Sequence, residues 1–132
     1  MKELIIELRV LFGLGKWYKV FTSIDAAIAA IPNKKSILVQ LGKIEICLAR
    51  DEQKISAFLN VCPHHQMPLN RGTFNENKEW ICPYHRHCFD LESGKNMTMP
   101  ETNPLHLFHV KSNHNGLFVY KSNCDRHNRR SY

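Results

Sequence analysis

Two short stretches of this 132-residue chain carry side chains that can bind metal together. Cys62-Pro63-His64 and Cys82-Pro83-Tyr84-His85 each pair a thiol with an imidazole inside one tight loop, and seventeen residues separate His64 from Cys82. Two Cys and two His converging on one site suit either a tetrahedral zinc ion or a [2Fe-2S] cluster in which thiolates hold one iron and imidazoles the other. A finger-type zinc site groups its two Cys in one loop and its two His in another. Here each loop supplies one ligand of each kind. That division matches the asymmetric cluster, with Cys62 and Cys82 on one iron and His64 and His85 on the other.

At these residues the chain resembles the Rieske family, whose pattern is C-x-H, then fifteen to seventeen residues, then C-x2-H. Leu69 and Gly72 stand where the first loop of that family has its Leu and Gly, and Phe89-Asp90 with Gly94 fits the F-D-x-x-x-G after its second loop. A weaker likeness extends from about Lys16 to Tyr120. The resemblance implies a Rieske-type [2Fe-2S] cluster on Cys62, His64, Cys82 and His85. It also implies an all-β fold, an antiparallel β-sandwich with a small cluster-binding subdomain. The chain departs from the family at Gln66 and Arg86, positions where these loops have Gly, a residue that admits positive φ and close approach of backbone N–H groups. His65 and His87 stand beside the ligands and are expected to be exposed loop histidines outside the ligand set.

The elements that must position these loops follow from periodicity. Residues 1–15 place Leu4, Ile5, Leu8, Leu11 and Phe12 on one helical stripe, so an N-terminal helix is expected there, ended by Gly13 or Gly15. The stripe is expected to pack on the domain, and off-stripe Ile6 and Val10 leave apolar surface for an oligomer or membrane-surface contact as the alternative. Lys16–Ser23 alternates as a strand, Ser23 caps a short helix over 24–31, and Pro32 ends it. Residues 36–41, 44–50 and 54–61 read as a meander of three strands. Thr73-Phe74 and Glu79-Trp80-Ile81 read as a hairpin holding the two loops side by side, with Phe74, Trp80 and Ile81 as a small core beneath. In the family a proline-bearing loop covers the cluster from a third side, and residues 96–105, with Pro100 and Pro104, stand in its place. A last hairpin, 105–111 and 117–121, turns through Asn113-His114-Asn115-Gly116. The expected organisation is thus one domain over 1–132. Residues 16–61 and 105–121 form the base sandwich, 62–104 the cluster-binding subdomain, and 122–132 a flexible tail.

Composition narrows the function. The formal charge of +6 is scattered apart from Arg126, Arg129 and Arg130, and no recognition motif accompanies it, so no nucleic-acid partner is expected. No segment is long and apolar enough for a transmembrane helix. Five Cys, two of them claimed by the site, point to a reducing, cytoplasmic location. Oxygenases resembling the motif carry a further domain with a mononuclear iron, which a chain of this length has no room for. The expectation is therefore a stand-alone Rieske ferredoxin, a one-electron carrier between a flavin-dependent reductase and an oxygenase or other redox acceptor, with no substrate turnover of its own. The alternatives are a small Rieske-like subunit of a larger oxidoreductase of the nitrite-reductase type, and a zinc-stabilised interaction module.

Overall fold

Runs of β-formers separated by short polar turns fold into three antiparallel sheets and one helix, seen in a computed structural model that describes residues 6–9 and 15–122. In chain order the elements are β1 (Ile6–Arg9), β2 (Gly15–Phe21), α1 (Ile24–Ala30), β3 (Ser36–Leu41), β4 (Ile44–Asp51), β5 (Lys54–Leu59), β6 (Thr73–Phe74), β7 (Glu79–Ile81), β8 (Cys88–Asp90), β9 (Leu107–Phe108), β10 (Val110–Asn113) and β11 (Gly116–Ser122). Two four-stranded sheets, ordered β1-β2-β11-β10 and β3-β4-β5-β9, form the sandwich, and the three-stranded sheet β6-β7-β8 carries the candidate loops.

Alternation along the strands builds the core between the two larger sheets. Tyr18, Val20, Leu117 and Val119 from one sheet meet Val39, Leu41, Ile46 and Leu48 from the other, and Ala27 and Ile31 close one side. The helix is short and depends on its ends. The Ser23 side chain accepts the Ala26 N–H at 3.0 Å, and the Arg50 guanidinium donates to the Ile28 and Ile31 carbonyls at 3.0 and 2.9 Å.

The middle of β4 is buried on both faces, which is why Ile46-Cys47-Leu48-Ala49 is an unbroken apolar run. Ile44, Ile46 and Leu48 point into the sandwich, whereas Cys47 and Ala49, alternating with them, point the other way. On that second face they join Phe58, Leu69, Trp80, Phe89, Leu105 and the candidate ligands Cys62 and Cys82. The three-stranded sheet therefore rests on the outer face of the sandwich through a core of its own.

Two expectations need correction. The apolar stripe in residues 1–15 predicted a helix, but Ile6–Arg9 is the edge strand β1, paired with β2 from Ile6↔Lys19 to Arg9↔Lys16. Residues 1–5 and 10–14 lie outside the described set. The paired segment itself contains Ile6 and is followed by Val10, β-branched residues that suit a strand as well as a helix, and a paired edge outweighs the local period. The single strand expected at 105–111 is two: β9 pairs with β5 while β10 pairs with β11, so the chain changes sheets at His109. The 122–132 tail lies beyond the described residues after Ser122.

Candidate metal centre

The two loops are near copies in backbone terms. In the first, the Gln66 N–H donates to the Cys62 carbonyl at 2.6 Å and the Cys62 N–H to the Met67 carbonyl at 2.8 Å. In the second, the Arg86 N–H donates to the Cys82 carbonyl and the Cys82 N–H to the His87 carbonyl, both at 2.9 Å. Each turn closes through a left-handed residue, Gln66 at φ +58° and Arg86 at +62°. Both residues carry side chains in backbone that glycine adopts at little cost, at the two positions where the resemblance implies Gly.

The loops are held from below. Asn60, buried at the end of β5, accepts the Leu69 and Asn70 N–H groups at its Oδ1 (2.7 and 2.9 Å) and donates to Glu45 at 3.1 Å. The Leu69 carbonyl accepts the Trp80 indole N–H at 3.0 Å, tying the first loop to β7. Gly72 sits against that strand, where a Cβ would lie 2.1 Å from the Ile81 carbonyl oxygen. The second loop leads into β8 and the turn at Asp90, whose carboxylate accepts the Ser93 hydroxyl at 2.7 Å. Of the three residues expected beneath the loops, Trp80 is fully buried, Phe74 packs against it at 5.1 Å between ring centroids, and Ile81 is only half-buried.

Cys62 and Cys82 are buried, at 2 and 1% exposure, and their side chains hydrogen-bond each other. The backbone N–H groups of His64 and His65 reach the Cys62 sulfur, and those of Tyr84 and His85 reach the Cys82 sulfur. The hydrogen bond from Cys62 pulls the Cys82 thiol down to about 5, aided by those N–H donors against the opposing effect of burial. The same bond, together with burial, raises Cys62. Two buried sulfurs side by side, with backbone N–H donors reaching both, are suited to negative sulfur ligands.

The imidazoles lie outward of the thiols. His64 is half-buried, and its Nδ1 is buried without a hydrogen-bond partner. Desolvation, then the neighbouring His87, His65 and His85, hold its pKa below the ordinary value. His85 is exposed, 5.6 Å from His64 between ring centroids. An orphaned buried nitrogen on His64, a second imidazole nearby and two buried cysteines in the same two loops fit a group that takes two sulfur and two nitrogen donors.

The other histidines divide. His65 is exposed, as expected, yet one ring nitrogen from each of His64, His65 and His85 lies within 4.8 Å of the others. His87, expected on the surface, is buried at 6% exposure, stacked on His64 at 4.0 Å and bound to Asn96 at 2.9 Å. The long loop 96–105 accounts for the difference: Asn96 bridges to Phe89, and the Met97 N–H donates to the Cys88 carbonyl at 2.7 Å, which encloses the ring. Asn60 and Asn96 are the supports that sequence reading missed. Nothing in their spacing marks them, although Asn60 closely precedes the first loop.

A family model described as the Rieske [2Fe-2S] domain matches residues 16–112. The ferredoxin component of the naphthalene 1,2-dioxygenase/salicylate 5-hydroxylase systems of Ralstonia sp is 35% identical over 89 residues, 67% of this chain and 85% of that protein. Apoptosis-inducing factor 3 of Homo sapiens is 31% identical over 84 residues, 64% of this chain but only 14% of that protein. Among solved structures, the ferredoxin of carbazole 1,9a-dioxygenase from Nocardioides aromaticivorans IC177 aligns with a TM-score of 0.63 at 21% identity, covering 86% of this chain and 95% of that one. A Mycobacterium tuberculosis protein described as an NADH-dependent nitrite reductase small subunit aligns at 0.67 with 17% identity, covering 81% and 96%. At these identities the structural likeness speaks to fold alone.

Proposed function

Because this chain belongs to the Rieske [2Fe-2S] domain family, we propose that it is a one-electron carrier whose cluster is held by Cys62 and Cys82 on one iron and His64 and His85 on the other. When bound, the cluster takes up and releases a single electron, at a potential set by its ligands, charge and hydrogen bonds. The observation that carries the reading is the polarity of the site: the two thiols are buried in the lower core, whereas His85 is exposed and His64 half-exposed. The protein's own part is to keep the sulfur side dry, to aim backbone N–H groups at it, and to present imidazole edges to a partner.

The proposed docking rim is made of the exposed loop residues His65, Pro68, Tyr84, Arg86, Met97 and Pro100. Tyr84 and Met97, both 46% exposed, put apolar surface beside a cation, the mixture that a transient redox partner uses. The proposed donor is a flavin-dependent reductase and the proposed acceptor an oxygenase or similar redox protein. The names of the ferredoxin relatives support this, as does the solved complex of a related ferredoxin with its oxygenase. The four described cysteines are all free, which supports a reducing, cytoplasmic setting. No helix among the described residues is long and apolar enough to cross a membrane.

The test is electron transfer itself. Loaded protein mixed with a flavoprotein reductase and its nicotinamide donor should bleach, then recover its colour on addition of an oxidised oxygenase. Arg86→Glu should slow the first step, most strongly at low ionic strength. Reduction rates equal to wild type at every salt concentration would remove this rim as the docking face. Stoichiometric co-purification with a large oxidoreductase would replace the carrier by the subunit reading.

A further inference from the structure

The hydrogen bonds around His87 have one consistent direction. Asn96, 0% exposed, accepts at Oδ1 the backbone N–H groups of Thr98 and Met99, both at 2.9 Å. Backbone N–H groups can only donate, so the amide oxygen must be on that side, and Nδ2 is the atom facing His87 Nδ1 at 2.9 Å and Thr102 Oγ1 at 3.1 Å. The Thr102 hydroxyl donates to the Met99 carbonyl at 2.9 Å, which leaves its oxygen to accept from Asn96. An N–H donor at 2.9 Å requires a lone pair on Nδ1, and the ring proton of His87 therefore sits on Nε2.

The ring pinned in this way lies face to face with His64, 4.0 Å between centroids and 28° between planes. Asn96 is in the third loop, His87 follows the second, and His64 is in the first. Directed contacts thus run from the proline-bearing segment to the plane of an imidazole on the opposite side of the site.

We propose that His87, oriented by Asn96, is a positioning residue that sets the ring plane of His64. This rests on the ligand role proposed above for His64. Rotating the His64 ring would open the stack, and His87 cannot follow without breaking a buried hydrogen bond to a fully buried amide. Second-shell contacts fix the orientation of a ligand imidazole, and the magnetic coupling to its ligand nitrogen changes with that orientation, so a displaced ring is visible spectroscopically even where the fold is intact.

The experiment uses protein labelled with 15N-histidine, both as apoprotein and loaded with cluster. In the wild-type apoprotein, 15N NMR should show His87 unprotonated at Nδ1 and protonated at Nε2. Asn96→Asp, nearly the same shape, places an acceptor opposite Nδ1 and should move the proton there. In the reduced, loaded protein, pulsed EPR should resolve two ligand 15N couplings. Asn96→Asp and His87→Ala should shift one of them together with the g-values, leaving the other coupling at its wild-type value. His87→Phe keeps a ring in the stack but loses the Asn96 bond, so it should load with cluster and shift the same coupling by less than His87→Ala. A proton on Nδ1 of His87 in the wild type would overturn the proposal. So would g-values and couplings unchanged in both His87→Phe and Asn96→Asp. A wild-type protein with no cluster signal would instead overturn the ligand assignment, and the tautomer measured in the apoprotein would still stand.

Discussion

Asn60 and Leu69 are joined by a buried hydrogen bond of 2.7 Å from the Leu69 N–H to the Asn60 Oδ1, the shortest link from the sandwich to the first loop through that side chain. The same oxygen accepts the Asn70 N–H at 2.9 Å and the Cys47 thiol at 3.2 Å. Asn60→Ala strands these donors, one of them beside a fully buried Leu69. The expected loss is about 2–4 kcal/mol, read as a lower denaturant midpoint with an unchanged slope. Asn60→Asp combined with Glu45→Gln, which keeps the acceptor without setting two carboxylates against each other, should lose less than Asn60→Ala; the reverse order would show that acceptance at Oδ1 is not what holds the loop.

Glycine should act in opposite senses at neighbouring sites. Gln66 and Arg86 occupy left-handed backbone, which costs a side-chain-bearing residue about 1–2 kcal/mol and a glycine little. Gln66→Gly and Arg86→Gly should each stabilise by on the order of 0.5–1 kcal/mol once glycine's greater unfolded-state freedom is subtracted. Gly72→Ala should do the opposite, because the new methyl would meet the Ile81 carbonyl oxygen at 2.1 Å and the Trp80 indole nitrogen at 2.8 Å. The expected loss is about 1–3 kcal/mol. Thermal unfolding of the three variants checks all of these signs.

Acid should weaken the base of the sandwich through Asp51. This carboxylate is 8% exposed and lies between the Lys34 and Lys78 amines; the bond from Lys34, then that from Lys78, holds its pKa below the ordinary value against the effect of burial. A depressed folded-state pKa gives stability that is present above the unfolded value of about 3.9 and is lost as pH falls through the folded one. Asp90, lowered first by the Ser93 hydroxyl, adds in the same direction. Lys78 is largely solvated and Lys34 partly so, which limits each pair to about 0.5–1 kcal/mol. Asp51→Asn should reduce stability at neutral pH and flatten its decline below about pH 4. An acid limb identical to wild type would exclude this origin.

Much of the site was legible because its signals are local. The loops Cys62–His64 and Cys82–His85, the hairpin around Trp80, the capped helix at Ser23 and the meander to Leu59 all follow from residue type and short spacing. What was not legible depends on distant parts of the chain. The strand at Ile6–Arg9 exists through its pairing with β2, and an isolated stripe of Leu and Ile cannot distinguish that from a helix. The change of sheet at His109 is set by two different partner strands, β5 and β11. His87 reads as a loop histidine until Asn96 folds over it.

The reduction potential should lie toward the low end of the range of about −150 to +300 mV for such centres. Respiratory members resembling this motif have Ser and Tyr hydroxyls where this chain has His87 and Phe89, and an additional disulfide where it has Met67 and Tyr84. Phe89 is fully buried beside Cys62 and Cys82 and offers no hydroxyl. A hydrogen bond to a charged acceptor is worth roughly 1.5–3 kcal/mol, about 60–130 mV for one electron. Phe89→Tyr should therefore raise the midpoint by up to that amount if its hydroxyl reaches a sulfur. Protein-film voltammetry decides this, and a wild-type midpoint above about +150 mV would contradict the hydrogen-bond argument.

The ligand set is tested most directly by the visible and EPR spectra of the purified chain, with iron and acid-labile sulfide analysis, for the wild type and single alanine variants. The wild type should be red-brown and contain about two irons and two sulfides per chain. Alanine at Cys62, His64, Cys82 or His85 should abolish that spectrum, while His65→Ala should retain it. A colourless protein containing zinc, or a native spectrum surviving in His64→Ala, would contradict the account.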